Sequence, residues 1–219
     1  MHIKIQKWIS RPLSHKVNSI LSRIDRIFFY FYKLRGIHFE GNISKKDLIA
    51  LSKFSIESAS DYQPASIFTI KRLLEESTLE GNHFVNFLDV GCGKGFACIY
   101  VSEHYNFYKV FGFDFSEHLI DIAIRNLSKT RCKNIIFTHD DAATYQIPDG
   151  DTLVFLFNPF NEVILSNFIN NNIAHFINFN SMIAYSNEIH RNVLGRLGFE
   201  IVYRSQSTKS SIWKHAHQK

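Results

Sequence analysis

Cysteine is scarce and unpaired in this sequence: Cys92, Cys98 and Cys132 are odd in number and form no Cys-x-x-Cys pair. Neither a disulfide framework nor a thiolate zinc site is expected of them. The 11 histidines show no ligand-spaced set, so no metal is expected either. Glycine (10) and proline (4) are too few in 219 residues for a collagen-like or low-complexity chain. Long apolar runs are also missing. The stretch Ile27–Tyr32 falls far short of the roughly 18–20 residues that cross a bilayer, and no export signal is legible. With free thiols, these absences lead to the expectation of a cytoplasmic protein.

What the sequence does have is apolar mass. Hydrophobic residues make up 45%, with 21 Phe, enough for one sizeable core. The charge is uneven. Of the net +5, residues 1–35 supply Lys4, Lys7, Arg11, Lys16, Arg23, Arg26, Lys33 and Arg35 against the single acid Asp25. A basic, aromatic-rich helical segment is therefore read over residues 1–57, ahead of a second unit over 58–219. Within it, Val17, Ile20, Leu21, Ile24, Ile27, Phe28 and Phe31 form an i, i+3, i+4 stripe, and Gly36 ends the helix. Two readings of the arm compete. Its charges and aromatics suit peripheral contact with an anionic membrane or polymer, at the inner membrane face if lipid. Alternatively, Ile24, Phe28 and Phe31 pack on the domain and the charges face water.

Further on, a short helical pattern at 45–53 precedes a loop from Ser58, and Pro64 opens a helix through Leu74. From residue 84, apolar runs alternate with amphipathic stretches. Strands are predicted at Phe84–Val90, Lys109–Asp114, Ile135–His139, Thr152–Asn158 and Met182–Asn187, with a closing pair at Phe199–Arg204 and Ser211–Lys214. Helices are predicted at Gly95–His104, Ser116–Lys129 with Ser116 as N-cap, Val163–Ile177 and Glu188–Leu197. Such alternation builds an α/β fold with a mostly parallel sheet and helices on both faces. Ligands then bind at the carboxyl ends of its strands.

The chemistry concentrates at Asp89-Val90-Gly91-Cys92-Gly93-Lys94-Gly95, where a buried strand turns through glycines into a helix. Glycine permits positive φ and lets a ligand approach the backbone. The dinucleotide fingerprint Gly-x-Gly-x-x-Gly would need glycine where Phe96 stands, and a phosphate-binding Gly-Lys-Ser/Thr ending is absent. An acid at the end of the next strand, Asp114, suits a vicinal diol, because one carboxylate accepts two hydrogen bonds.

This loop resembles motif I of the class I S-adenosylmethionine-dependent methyltransferases. Val110–Ser116, with Asp114 and Phe115, is similar to the following strand of that family, whose terminal acid holds the ribose. Asp140-Asp141-Ala142 is similar to its third strand end, with Asp141 favoured over Asp140 for the adenine amine. The resemblance covers about residues 60–215 and implies a Rossmann-like class I methyltransferase fold with a seven-stranded sheet. It implies S-adenosyl-L-methionine as cofactor, bound through Asp89, Gly91, Cys92, Gly93, Gly95, Asp114, Phe115, Asp141 and Ala142. Upstream, Tyr62-Gln63-Pro64 resembles the Tyr-x-Pro box of small bacterial methyltransferases and would cover the methionine end.

Asn158-Pro159-Phe160 resembles the Asn/Asp-Pro-Pro-aromatic motif of enzymes that methylate amino or amide nitrogens, with the second proline absent. The resemblance implies that Asn158, Pro159 and Phe160 orient the acceptor, Asn158 also bordering the cofactor. His190 is a candidate base. The acceptor expected is an undetermined nitrogen or oxygen, with glycans, small molecules and protein side chains as the candidate classes. An NAD-dependent oxidoreductase and a non-catalytic binding module are the competing classes.

Overall fold

The computed structural model describes residues 15–41, 63–79, 82–157 and 159–217, with 15–24 described in backbone only. Tyr62, Asn158 and the helix expected over 45–53 lie outside the described residues.

Among the described residues, two helices precede the sheet. The first, α1 (His15–Leu34), ends at Gly36, where Gly36 N–H donates to Lys33 O and Ile37 N–H to Tyr32 O. This is the Schellman pattern, with Ile37 and Tyr32 both buried. The second, α2 (Ile67–Ser77), starts later than Pro64. Ser66 makes no side-chain cap bond there. Instead Asp25 of α1 accepts from Ile67 N–H at 3.1 Å, so the arm's one acid caps a neighbouring helix.

The rest alternates as expected: β1 (Asn86–Val90), α3 (Phe96–His104), β2 (Lys109–Asp114), α4 (Glu117–Leu127), β3 (Ile135–His139) and β4 (Thr152–Phe157). There follow α5 (Glu162–Asn171), α6 (Ile173–Asn178), β5 (Met182–Ser186), α7 (Asn192–Arg196), β6 (Phe199–Ser205) and β7 (Ser210–His215). One seven-stranded sheet has the order β3-β2-β1-β4-β5-β7-β6, parallel except for β7, which pairs antiparallel with both neighbours. β1, β4 and β5 are buried almost throughout, as central strands covered on both faces must be. On one face Phe87, Phe155 and Ala184 meet Phe29 of α1, Ile70 and Leu73 of α2, and Phe96 and Ile99 of α3. On the other, Leu88, Val154 and Ile183 meet Leu165 and Phe168 of α5 and Leu194 of α7.

Three expectations need correction. The helix predicted over Val163–Ile177 breaks at Asn172, whose amide donates to Tyr145 O and Phe168 O while its oxygen accepts from Ile147 N–H. A polar side chain serving three backbone groups fixes this break. The helix predicted from Glu188 shrinks to Asn192–Arg196, because Asn187 has φ +51 and the Glu188 carboxylate is held by Arg204 and Ser211. Finally, against the reading in which Phe28 and Phe31 pack on the domain, the described part of the α1 stripe faces outward: Ile27, Phe28 and Phe31 are exposed, and Phe29 and Tyr32 are buried instead.

Candidate cofactor site

β2 lies on one side of β1 and β4 on the other, both parallel to it, so the chain's winding reverses at the carboxyl end of β1. Such a switch point opens a crevice above the strand ends. The glycine turn fills that position. Gly91 and Cys92 N–H both donate to Phe113 O at 2.9 Å, and Gly95 N–H donates to Cys92 O at 2.9 Å. Gly91, Gly93 and Gly95 have φ of +74, +54 and +80. The requirement is also steric: a Cβ on Gly91 would lie 2.6 Å from Pro159 Cβ, and one on Gly95 2.6 Å from Phe137 Cζ. Part of what keeps these positions glycine is therefore packing.

Two buried carboxylates stand beneath the turn. Asp114 ends β2; its oxygens accept from Gly93 N–H at 2.9 Å and Ser116 N–H at 3.0 Å. Burial raises its pKa to about 6 against the lowering effect of Ser116, Gly93 and His139. A carboxylate has about four acceptor positions, so capacity for a diol remains. Asp89 is less well served: among the described residues its partner is the Cys98 thiol at 3.9 Å. Burial first, and then the Asp114 charge, push its pKa up to about 8. A buried carboxylate so poorly satisfied is costly, and an ammonium is the chemistry that would satisfy it. The Cys92 and Cys98 thiols are pushed up by the same burial, which keeps them protonated and unreactive.

Asp89, Gly91 and Cys92 line a small cleft with Gln63, Pro64, Phe155 and Phe157. Its volume is about 30 Å³, a fraction of the roughly 300–1,000 Å³ of ordinary ligand sites. Gln63 and Pro64 are thus brought to the loop. On the far side, the end of β3 joins the end of β2: Asp140 N–H donates to Asp114 O at 3.1 Å, and the His139 Nε2 lies 3.1 Å from Phe115 O. Asp141 Oδ1 accepts from Ala143 N–H at 2.8 Å, and Ala142 is buried. Pro159 is half-buried, whereas Phe160 is buried with its ring 6.5 Å from Phe168. His190 is half-buried beyond β5, its N–H donating to Tyr185 Oη at 3.4 Å.

Sequence reasoning missed several contributors. Phe96, noticed only for not being glycine, sits between Phe29 and Phe39, with ring centroids at 4.9 and 5.0 Å, and joins the arm to the first turn after the loop. Lys94 is buried, with Nζ donating to Glu40 O at 2.6 Å. Phe113 stacks on Tyr145 at 3.9 Å. Phe157 is the half-buried aromatic that lines the cleft. A signal for close approach was present at Gly112, a glycine inside a strand.

This strand order and switch-point glycine turn define the class I methyltransferase fold. A family model described as a methyltransferase domain matches residues 87–176. Among solved structures, the magnesium protoporphyrin IX methyltransferase of Synechocystis PCC 6803, with bound S-adenosylmethionine, aligns at 16% identity over 89% of this chain and 96% of its own, TM-score 0.51. The N-methyltransferase NodS of Bradyrhizobium japonicum WM9 aligns at 13% identity over 67% and 93%, TM-score 0.51. The precorrin 8W decarboxylase of Methanobacterium thermoautotrophicum aligns at 16% over 71% and 93%, TM-score 0.50. No curated protein matches the sequence.

Proposed function

We propose that this protein is an S-adenosylmethionine-dependent methyltransferase acting on a nitrogen or oxygen nucleophile. The observation that carries the reading is the pair of buried carboxylates, Asp89 and Asp114, under the positive-φ glycine turn. Their spare acceptor capacity matches a ligand with an ammonium at one end and a diol at the other. In this reading Asp114 takes the ribose hydroxyls, Asp89 the methionyl ammonium, and Asp141 the adenine amine. Gln63 and Pro64, beside Asp89 at the cleft, cover the methionine end.

When bound, the cofactor supplies a sulfonium methyl group that is already electrophilic. The protein's task is then alignment and exclusion of water, which together account for a large part of such rate enhancement. Pro159 and Phe157 flank the glycine turn from β4, and Asn158 between them is assigned to orient the acceptor. His190, beyond the neighbouring strand end, is the candidate group for taking the acceptor's proton. The acceptor is expected among glycans, small molecules and protein side chains.

Calorimetry of the full chain with S-adenosylhomocysteine and with NAD tests the reading. S-adenosylhomocysteine should bind and NAD should not. Binding of NAD alone would favour an oxidoreductase, and binding of neither would remove the cofactor assignment.

A further inference from the structure

The outward side of α1 is apolar where a solvent-facing helix side should be polar. Ile27, Tyr30, Phe31 and Leu34 recur at i, i+3, i+4 and i+7, and each is 55–66% exposed. Arg26, Ile27, Tyr30 and Phe31 line a shallow groove there. The helix is already anchored by its other side: Phe29 and Tyr32 pack on Phe39 and Phe96, and Tyr32 Oη donates to Glu103 at 2.5 Å. The outward stripe is thus not needed to hold α1 on the domain. Exposed aromatic and aliphatic groups clustered in this way mark interaction surfaces.

Charge selects the occupant. Arg26 and Lys33 are exposed beside the stripe, and Lys4, Lys7, Arg11, Lys16 and Arg23 precede it in sequence. The arm's only acid, Asp25, is turned inward to cap α2. A second copy docking through this side would bring two strongly basic arms together, which is repulsive. Residues 42–62, outside the described residues, hold Lys45, Lys46 and Lys53 against Asp47, Glu57 and Asp61 and so have no acidic excess to match the arm. A nucleic acid would match the charge but gives no reason for a stripe of Ile, Phe and Leu. A bilayer with anionic headgroups matches both, since it takes the apolar stripe below the headgroups and the cations at their level. Among the described residues no helix is long and apolar enough to cross a membrane.

We propose that the outward side of α1, centred on Ile27 and Phe31, docks on an anionic lipid surface. The assignment is independent of what the cofactor site binds. The test is partition of the full chain onto phosphatidylcholine vesicles with and without phosphatidylglycerol, across a salt series. Wild type should bind the anionic vesicles at low salt, release as salt rises, and ignore the neutral ones. The Ile27→Ser/Phe31→Ser variant should lose about tenfold or more in partition, because two half-exposed apolar groups no longer enter the lipid. Its melting temperature should be nearly unchanged, and Phe31→Ser alone should show a smaller loss. Three results would overturn the proposal: no binding to anionic vesicles; equal partition of variant and wild type, as expected if charge alone binds, on vesicles and on duplex DNA alike; or a wild-type dimer in sedimentation equilibrium that the double variant dissociates.

Discussion

Asp89 offers a test that a merely structural carboxylate would fail. In the free protein its carboxyl titrates near 8, raised by burial and by Asp114. If it receives the ligand's ammonium, it must be ionised in the complex, so binding below pH 8 expels a proton. Each unit below that value then weakens affinity by about tenfold, the equivalent of about 1.4 kcal/mol. Between pH 8 and pH 6 the loss is about fiftyfold, since half the carboxyls are already ionised at pH 8, provided the carboxyl titrates below 6 in the complex. The free protein runs the opposite way. A carboxyl raised from 3.8 to about 8 stabilises the fold fully below pH 3.8, and that stability is lost as pH climbs through 8. Asp114, raised to about 6, contributes in the same direction over a lower window. Heating the free protein should therefore give a falling melting temperature from pH 5 to pH 8, while the shift on adding S-adenosylhomocysteine grows. Calorimetry at pH 6.5 in two buffers of different ionisation enthalpy should report about one proton released, and Asp89→Asn should abolish both the release and most of the pH dependence. A flat affinity profile with no proton release in wild type would refute the reasoning.

Two further outcomes follow from packing. Gly112→Ala places a Cβ 2.7 Å from Cys98 Sγ and 2.9 Å from Phe137 Cε1, so denaturant titration should find a loss of about 1–3 kcal/mol; an unchanged midpoint would mean that the site has room. His175 is buried with Nδ1 lacking a hydrogen-bond partner, and burial lowers its pKa against the raising effect of Asp149 and Asp151. The neutral ring is thus favoured in the fold, and its contribution to stability should be present above pH 6.5 and fade as pH falls below it; this opposes the trend set by Asp89 and Asp114, so His175→Gln should steepen the fall in melting temperature in thermal melts taken from pH 5 to 7.

The parallel core was legible because its signals are local. Five apolar runs of strand length alternate with amphipathic stretches, and Ser116 caps α4 through Leu119 N–H as its sequence position suggests. The glycine turn was legible for the same reason, since positive φ leaves a compositional mark. What was not legible depends on tertiary partners. Asn172 reads as one more polar residue on a helix until Ile147 and Tyr145 arrive to be bonded. Glu188 reads as a helix-starting acid until Arg204 and Ser211, from the last two strands, take its carboxylate. The arm is the clearest case: its period correctly predicted a helix, but not which side faces the domain. Phe29 and Tyr32 lie off the main stripe, and only the presence of Phe39 and Phe96 makes theirs the inward side. Phe96 itself was read by what it is not, because a sequence motif records backbone demands more readily than the aromatic contacts made beside them.

The central claim is that Asp114 and the glycine turn hold the cofactor, and the dissociation constant of S-adenosylhomocysteine for Asp114→Ala tests it most directly. Two hydrogen bonds from ligand hydroxyls to a carboxylate are worth about 3 kcal/mol together. The folded variant should therefore bind about a hundredfold more weakly than wild type at pH 8, with Asp114→Asn intermediate. Affinity within about threefold of wild type in a variant whose circular dichroism is unchanged would contradict the account.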